Sequence, residues 1–303
     1  KFTEPGSIVT FRSGVDESPD DIKARILELF DKVKDKYEDV LDKNDEISLD
    51  SNSITYVVGE LQNYSILRAE RDVVADAFET FIGHALKGAQ GQFFTPRNVV
   101  QMMVEMVNPD MGDNIIDPAC GSGGFLIDSL RFIWKKVDGQ GKKYDWSQSE
   151  IDKEKQKIAI NNFRGIDKDY FLSKVTKAYM AIIGDGKGGI FCEDSLEKPT
   201  NWKSKTRENI KLESFKILLT NPPFGSKIPV KGEDKLIQFE LGHKWKYDKQ
   251  EQIWNKGKVK EKESPQILFI DRCLQFLKDG GKMGIVLPDG IYGNDQLGYI
   301  RDF

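Results

Sequence analysis

Short apolar runs alternate with helical segments along most of this chain, and that alternation limits its fold more than any other feature. Five runs have the length and apolar content of strands: 114–116, 163–166, 189–192, 215–220 and 282–287. Helices are predicted around them, over 95–107, 123–137, 149–162, 170–183 and 264–277. Strands joined through helices run parallel, so the sequence predicts an α/β fold whose mostly parallel sheet is flanked by helices. Ligands of such folds bind beyond the carboxyl ends of the strands.

Several helix starts can be placed from capping residues. Thr95-Pro96 and Ser264-Pro265 each read as an N-cap followed by proline at the first helical position. Ser149 reads as the N-cap of the helix that runs to residue 162.

The first 90 residues follow a different pattern. Apolar residues recur at helical spacing over 20–40, 53–67 and 71–86, which predicts a small helical bundle ending at the glycine-bearing segment 87–91. We therefore expect an N-terminal helical domain over 1–90 and an α/β domain over 91–303. Because the chain starts at a lysine and stops without a helix stop signal, we expect a fragment of a longer protein.

Composition and cysteine usage exclude several classes of protein. The three cysteines are far apart and never form a CxxC pair, and the chain has only two histidines, so neither a disulfide framework nor a zinc site is expected. No apolar run approaches the length of a membrane span. A cytoplasmic protein without a metal fits best. The net charge of −4 lacks the basic excess of a protein that grips duplex DNA alone.

Residues 117–125, which read DPACGSGGF, stand directly after a predicted strand and before a predicted helix. Their glycines permit positive φ and a close approach of the backbone to a ligand. Leu126 breaks the GxGxxG dinucleotide fingerprint. An acid before the glycines would repel a pyrophosphate but suits a cationic amino group, which favours a methionine-bearing cofactor over NAD. The structural alternative is a tight strand-to-helix turn.

Residues 221–224, which read NPPF, follow the predicted strand 215–220. Two prolines fix φ and remove two backbone donors, so the Pro222 carbonyl and the Asn221 amide oxygen become rigidly held acceptors. Two acceptors on an exocyclic amine would free its lone pair for attack on a methyl donor, and Phe224 could stack on an extruded base. The structural alternative is a strand terminator with a core phenylalanine.

These motifs resemble those of adenine-N6 DNA methyltransferases. More narrowly, residues 91–97, which read GQFFTPR, resemble the modification (M) subunits of type I restriction-modification systems. The resemblance runs from about residue 53 to the end. It implies a Rossmann-like class I fold dependent on S-adenosylmethionine, DNA as substrate, base flipping, and a specificity subunit and a restriction subunit as partners. That sheet normally has seven strands and five are found here, so we expect C-terminal strands to be missing and this span alone to be poorly active or poorly soluble.

The resemblance also implies site residues. Asp117 and the glycine loop would hold the methionine portion, Asp167 the ribose hydroxyls, and Asp194 the adenine amino group, with Glu193 as a rival. The implied cofactor-binding set is Phe94, Thr95, Pro96, Asp117, Ala119, Gly121, Ser122, Gly123, Gly124, Phe125, Asp167 and Asp194. The implied catalytic set is Asn221, Pro222, Pro223 and Phe224. Transfer in this family is direct, so Cys120 is expected to be a packing residue.

Other functions stay open from the sequence. A standalone or fused adenine-N6 methyltransferase is one alternative, and a protein glutamine methyltransferase, whose related motif usually ends in tyrosine, is another. Residues 227–262 hold ten lysines against six acids, with aromatic residues between them, and are either a DNA contact or a solvated insertion. The helical residues 20–86 either dock a partner subunit or DNA, or pack among themselves in the bundle.

Overall fold

The computed structural model describes residues 9–38, 40–64, 80, 95–183, 189–225 and 229–303. Its strands are β1 (Ile115–Asp117), β2 (Phe163–Asp167), β3 (Ile190–Cys192), β4 (Phe215–Thr220), β5 (Val230–Lys231), β6 (His243–Asp248), β7 (Ile253–Val259), β8 (Lys262–Glu263) and β9 (Leu277–Ile285). Its helices are α1 (Pro19–Lys36), α2 (Ser51–Leu61), α3 (Arg97–Val107), α4 (Gly124–Lys143), α5 (Gln148–Asn162), α6 (Tyr170–Ile183), α7 (Ser204–Asn209), α8 (Glu233–Leu236), α9 (Pro265–Phe276), α10 (Gly290–Gly293) and α11 (Gly298–Arg301).

The main sheet has five strands in the order β3-β2-β1-β4-β9, and every pairing in it is parallel. The predicted α/β fold is therefore confirmed, as is the set of five strands. Because the strands are parallel, all five carboxyl ends meet at one edge of the sheet, where loops from four strands carry the predicted site residues.

Helices cover both faces of this sheet. Ile115, Ile217 and Leu219 point into a core built with α3, α4, α5 and α6. Ile116 and Leu218, the alternate residues of the same strands, point into a second core built largely with α9. Burial on both faces explains why these strands read as continuous apolar runs instead of alternating ones.

The described N-terminal residues form a small unit of two helices. Ile22 and Ile26 of α1 pack against Ile54 and Val58 of α2 in their own apolar cluster. The predicted helix over 71–86, the glycine stop at 87–91 and the predicted boundary at residue 90 lie outside the described residues, apart from residue 80.

An insertion follows β4 and precedes α9. It contains the short antiparallel pair β5–β8, the turn of helix α8 and the antiparallel hairpin β6–β7. Phe239 is one of the aromatic residues that lie between the lysines of segment 227–262. It is fully buried under the guanidinium of Arg272. This aromatic residue is therefore part of the core and does not face a ligand.

Three predicted boundaries were wrong for identifiable reasons. Ser147, not Ser149, is the N-cap of α5, because Glu150 three residues later completes a capping box with it. Pro96 is the N-cap residue of α3 and makes no side-chain capping bond. Strand β9 begins at Leu277 instead of residue 282. Residues 278–281 are polar or glycine and lie in a register shift opposite β4, so no apolar pattern marks them as part of the strand.

Candidate active site

Asp117 ends β1 at the carboxyl edge of the sheet and is 1% exposed. Its Oδ1 accepts hydrogen bonds from the backbone N–H of Ala119 at 3.0 Å and from the hydroxyl of Thr220 at 2.7 Å. Among the described residues, none donates to Oδ2. Burial raises the pKa of Asp117 to about 7, with a smaller contribution from the nearby carboxylate of Asp167, against the two hydrogen bonds. Oδ1 of Asp117 is thus anchored by hydrogen bonds. A cationic ligand at Oδ2 would offset the energetic cost of burying the carboxylate.

The glycine loop after Asp117 has the backbone form that its sequence predicted. Gly121 and Gly123 have φ values of 51° and 89°, in the left-handed region. A Cβ at Gly123 would come within 2.8 Å of the side chain of Thr176, whereas a Cβ at Gly121 or Gly124 would meet nothing within 4 Å. The loop therefore packs closely on α6 at one glycine and presents open backbone at the others, as a ligand cradle requires.

Two partners hold that loop in place. Asp167, at the end of β2, accepts from the N–H of Gly121 at 2.8 Å and from the N–H of Asp169 at 2.8 Å. The hydroxyl of Thr176 donates to the carbonyl of Gly121 at 2.6 Å. Burial raises the pKa of Asp167, although the hydrogen bonds from the N–H groups of Asp169 and Gly121 lower it in part. Asp167 thus lies near Asp117 at the carboxyl edge of the sheet. It also supports the glycine loop through its hydrogen bond with Gly121.

Asp194 and Glu193 separate into different environments after β3. Glu193 Oε1 accepts from the N–H of Lys203 at 2.9 Å and from the hydroxyl of Thr206 at 3.1 Å, so it holds the start of α7. Asp194 accepts from the N–H of Leu196 through Oδ1 at 2.9 Å. Its Oδ2 contacts the ammonium groups of Lys168 at 3.4 Å and Lys235 at 3.8 Å. Glu193 is thus tied to α7 by a backbone N–H and a hydroxyl, whereas Oδ2 of Asp194 is paired with lysine side chains.

Asn221 follows β4, and the two ends of its side-chain amide differ in their hydrogen bonding. Its Nδ2 donates to the hydroxyl of Thr95 at 2.9 Å. Its Oδ1 is buried and has no hydrogen-bond partner among the described residues. Since a buried unpaired acceptor costs about 1–3 kcal/mol, this atom is poised for a donor that arrives with a ligand.

The residues after Asn221 provide a rigid, partly open rim. Pro222 is buried, Pro223 is exposed, and Phe224 is 41% exposed. The N–H of Gly225 donates to the side chain of Gln266 at 3.1 Å and ties the rim to the start of α9. Phe224 is thus not the core phenylalanine of the structural alternative.

The structure brings most predicted site residues to one edge of the sheet. Thr95 and Pro96, from the start of α3, adjoin Asn221 through the Thr95 hydroxyl. Ser122 is half-buried in the glycine loop, and Phe125, in the first turn of α4, is buried in the core. Cys120 also lies in the apolar core. Phe94 lies outside the described residues.

Sequence reasoning missed three hydroxyl residues that organise this edge. Thr220 bonds Asp117, Thr176 bonds the glycine loop, and Ser195 donates to the carbonyl of Pro118 at 2.5 Å. Thr220 stands directly before the NPPF motif and could have been noted as a polar residue that ends a buried strand. The other two gave no local signal, because their partners lie 55 and 77 residues away.

Comparisons with known proteins find relatives over most of this chain. A type I restriction enzyme EcoEI methylase subunit from Escherichia coli is 26% identical over 73% of this chain and 37% of its own length. The type II restriction enzyme and methyltransferase RM.BcgI from Heyndrickxia coagulans is 22% identical over 88% of this chain and 35% of its own. The chain spans about a third of the length of these curated relatives.

A solved structure shares the fold. The type I restriction-modification methyltransferase subunit from Streptococcus thermophilus superposes with a TM-score of 0.58 at 19% identity, over 83% of this chain and 47% of that one. Along the described residues, no helix has the length and apolar content needed to cross a membrane. The sequence model of the family described as N-6 DNA Methylase matches residues 69–302, most of the chain, and the chain belongs to that family.

Proposed function

We propose that this protein transfers a methyl group from S-adenosylmethionine to the N6 amino group of adenine in DNA, as the modification subunit of a type I restriction-modification complex. The observation that carries the proposal is the amide of Asn221. One end of it is fixed by Thr95. The other end is a buried acceptor that no described residue pairs with, and Thr220, directly before Asn221, anchors the carboxylate of Asp117.

The edge of the sheet fits the cofactor. Open backbone at Gly121 and Gly124 would accept a close ligand, and Oδ2 of Asp117 would meet its cationic amino group. Asp167 retains lone pairs for ribose hydroxyls, and the carboxylate of Asp194 would accept from an adenine amino group. When bound, S-adenosylmethionine supplies an electrophilic methyl group on a sulfonium.

The chain's own residues would prepare the amine. An exocyclic amine attacks poorly because its lone pair is delocalised into the ring. Asn221 Oδ1 and the carbonyl of Pro222 would accept its two protons in hydrogen bonds and favour a tetrahedral nitrogen. Phe224, which is exposed, would stack on the extruded base and offset part of the few kcal/mol that unstacking costs.

The assignment to a type I complex rests on relatives and on charge. A relative named as a type I methylase subunit matches most of this chain. A net charge of −4 fits a subunit that relies on a separate specificity subunit for much of its grip on DNA. The alternative of a fused methyltransferase is favoured by one observation, the match to RM.BcgI, whose name joins restriction and methylation in one enzyme.

The test is methyl transfer from labelled S-adenosylmethionine by the full-length protein with its specificity partner, on unmethylated DNA. Products are resolved as nucleosides by mass spectrometry. We expect N6-methyladenine with the wild type and a loss of roughly 100-fold or more in Asn221→Ala, since removing one preorganised hydrogen-bonding group costs about that much.

The exposed Asn52 supplies the control, and Asn52→Ala is expected to match the wild type. Label on cytosine would refute the proposed base. Label on protein with adenine untouched would favour the glutamine methyltransferase alternative. Full activity without a specificity partner would favour the fused or standalone alternative.

A further inference from the structure

The β6–β7 hairpin of the insertion has two unlike faces. Trp245 and Tyr247 alternate along β6, and Tyr247 pairs with Trp254 of β7, so the three aromatic rings share one face. Trp254 packs edge-on against Tyr299, at 5.9 Å between ring centroids, and its indole N–H donates to Asp302 at 2.9 Å. The aromatic face therefore attaches the hairpin to the body of the protein.

The other face is basic and unpaired. Lys244 and Lys246 alternate with the aromatic residues of β6 and are exposed, and Lys258 precedes Val259, which packs inward. We call these three lysines the basic face. Among the described residues, no carboxylate lies within 4.0 Å of any of them, whereas Lys256 pairs with Glu240 at 2.6 Å.

The hairpin segment carries a net positive charge, whereas the whole chain is net negative. Residues 243–263 hold seven lysines against four acids, although the net charge of the chain is −4. Asp248 ends β6 on the same face as Lys246, and Glu251 lies in the turn, so both acids are at the far end of the hairpin. Besides Lys256, which pairs with Glu240, Lys260 is held by Glu263 and by the hydroxyl of Tyr299.

The hairpin packs on an apolar cluster that reaches the strand end next to the candidate active site. Trp245, Trp254 and Tyr299 belong to one apolar cluster with Ile285, the last residue of β9. Ile285 pairs with Thr220, which directly precedes Asn221. With six or seven residues per strand at about 3.3 Å each, the hairpin is about 20 Å long, comparable to the width of a DNA duplex.

We infer that the basic face of the hairpin contacts the phosphate backbone of the DNA duplex next to the target base. This inference rests on the proposed function for its substrate. Lysine ammonium groups without carboxylate partners suit phosphates, and a face anchored on its reverse side loses little conformational freedom on binding.

The experiment compares two triple variants with equal loss of charge. One is Lys244→Gln, Lys246→Gln and Lys258→Gln. The control is Lys135→Gln, Lys142→Gln and Lys143→Gln, three exposed lysines in the second half of α4, which runs away from the site. Each protein, with its specificity partner, is titrated into a labelled duplex by fluorescence anisotropy over about 50 to 200 mM salt.

We expect the hairpin triple to reduce the slope of log K against log salt by about 0.9 for each lost phosphate contact, about 2.7 in all, and to weaken binding at low salt by roughly 10-fold or more. The control triple should leave the slope close to that of the wild type. Equal slopes for both triples and wild type would overturn the inference, and so would equal losses in both triples, since net charge alone would then explain them.

The methylation assay on the same wild-type protein separates this inference from the proposed function. N6-methyladenine with an unaffected salt slope in the hairpin triple would refute the DNA contact and leave the function intact. A hairpin-dependent slope without any methyladenine would refute the function and leave the contact. Loss of the specificity partner from the hairpin triple, with the slope unchanged, would assign the basic face to protein binding and overturn the inference.

Discussion

Replacing Asp117 by asparagine is expected to stabilise the cofactor-free protein above neutral pH. Burial raises the pKa of this carboxyl from 3.8 to about 7. Between those two pH values the folded state holds a proton that the unfolded state has lost, so the free energy of unfolding falls as pH rises. At 1.36 kcal/mol per pH unit, the fall amounts to about 4 kcal/mol and is complete above about pH 7.

Asparagine removes this cost without removing the local hydrogen bonds. Its amide oxygen can still accept from the N–H of Ala119 and from the hydroxyl of Thr220, which both bond Oδ1 of Asp117. We therefore expect Asp117→Asn to match the wild type near pH 4, within about 1 kcal/mol, and to exceed it by up to about 4 kcal/mol near pH 8. The variant should at the same time lose cofactor binding.

Urea unfolding at several pH values, without cofactor, measures the difference. The exposed Asp279 gives the matched control, since Asp279→Asn removes the same charge from a solvated position and should leave the unfolding curve unchanged. A variant that is no more stable than the wild type at about pH 8 would refute the argument that burial dominates the energetics of Asp117. A gain that does not change with pH would also contradict it.

Three further outcomes follow from the same edge of the sheet. Thr220→Val removes a hydrogen bond from the buried carboxylate, so the pH midpoint of cofactor binding, followed by calorimetry, should rise by about 1–2 pH units, while Thr220→Ser should not move it. Gly123→Ala should cost about 1–3 kcal/mol in urea unfolding, because of its positive φ and the close approach to α6, while Gly124→Ala should cost less than about 1. Asp194→Asn should weaken cofactor binding about 5- to 30-fold, whereas Glu193→Gln should lower the melting temperature and leave the dissociation constant unchanged.

The fold could be predicted because its signals are local. The strand Phe215–Thr220 and the helix Tyr170–Ile183 were placed to the residue, since continuous apolar runs and helical spacing identify buried elements without knowledge of their neighbours. The glycine loop and the NPPF motif were also local, and both lie at the carboxyl edge. Strand β9 was cut short because residues 278–281 are polar or glycine and lie in a register shift between the two parts of β9 that pair with β4.

The hydrogen-bond partners within the site could not be predicted. Thr220 and Asp117 are 103 residues apart, and Asn221 and Thr95 are 126 apart. These distances in sequence carry no periodic or motif signal. The different surroundings of Glu193 and Asp194 likewise could not be predicted. They depend on the hydrogen bond from Thr206 of α7 to Glu193, which no sequence pattern indicates.

The sheet itself sets the distance between the glycine loop and the NPPF motif, to which we assign cofactor binding and catalysis in the proposed function. Ile116 pairs with Leu218, so Asp117 lies opposite the end of β4 and within hydrogen-bond distance of Thr220. Neighbouring strands lie about 4.8 Å apart, and this spacing is fixed by backbone hydrogen bonds between buried strands. Two polar groups that burial disfavours therefore stand on or directly after buried central strands: the carboxyl of Asp117 and the Asn221 amide oxygen, which no described residue pairs with. A methyl donor and an amine held by these two groups would meet without either loop having to move, and substitutions that shift the register of β4 should reduce transfer more than they reduce the binding of cofactor.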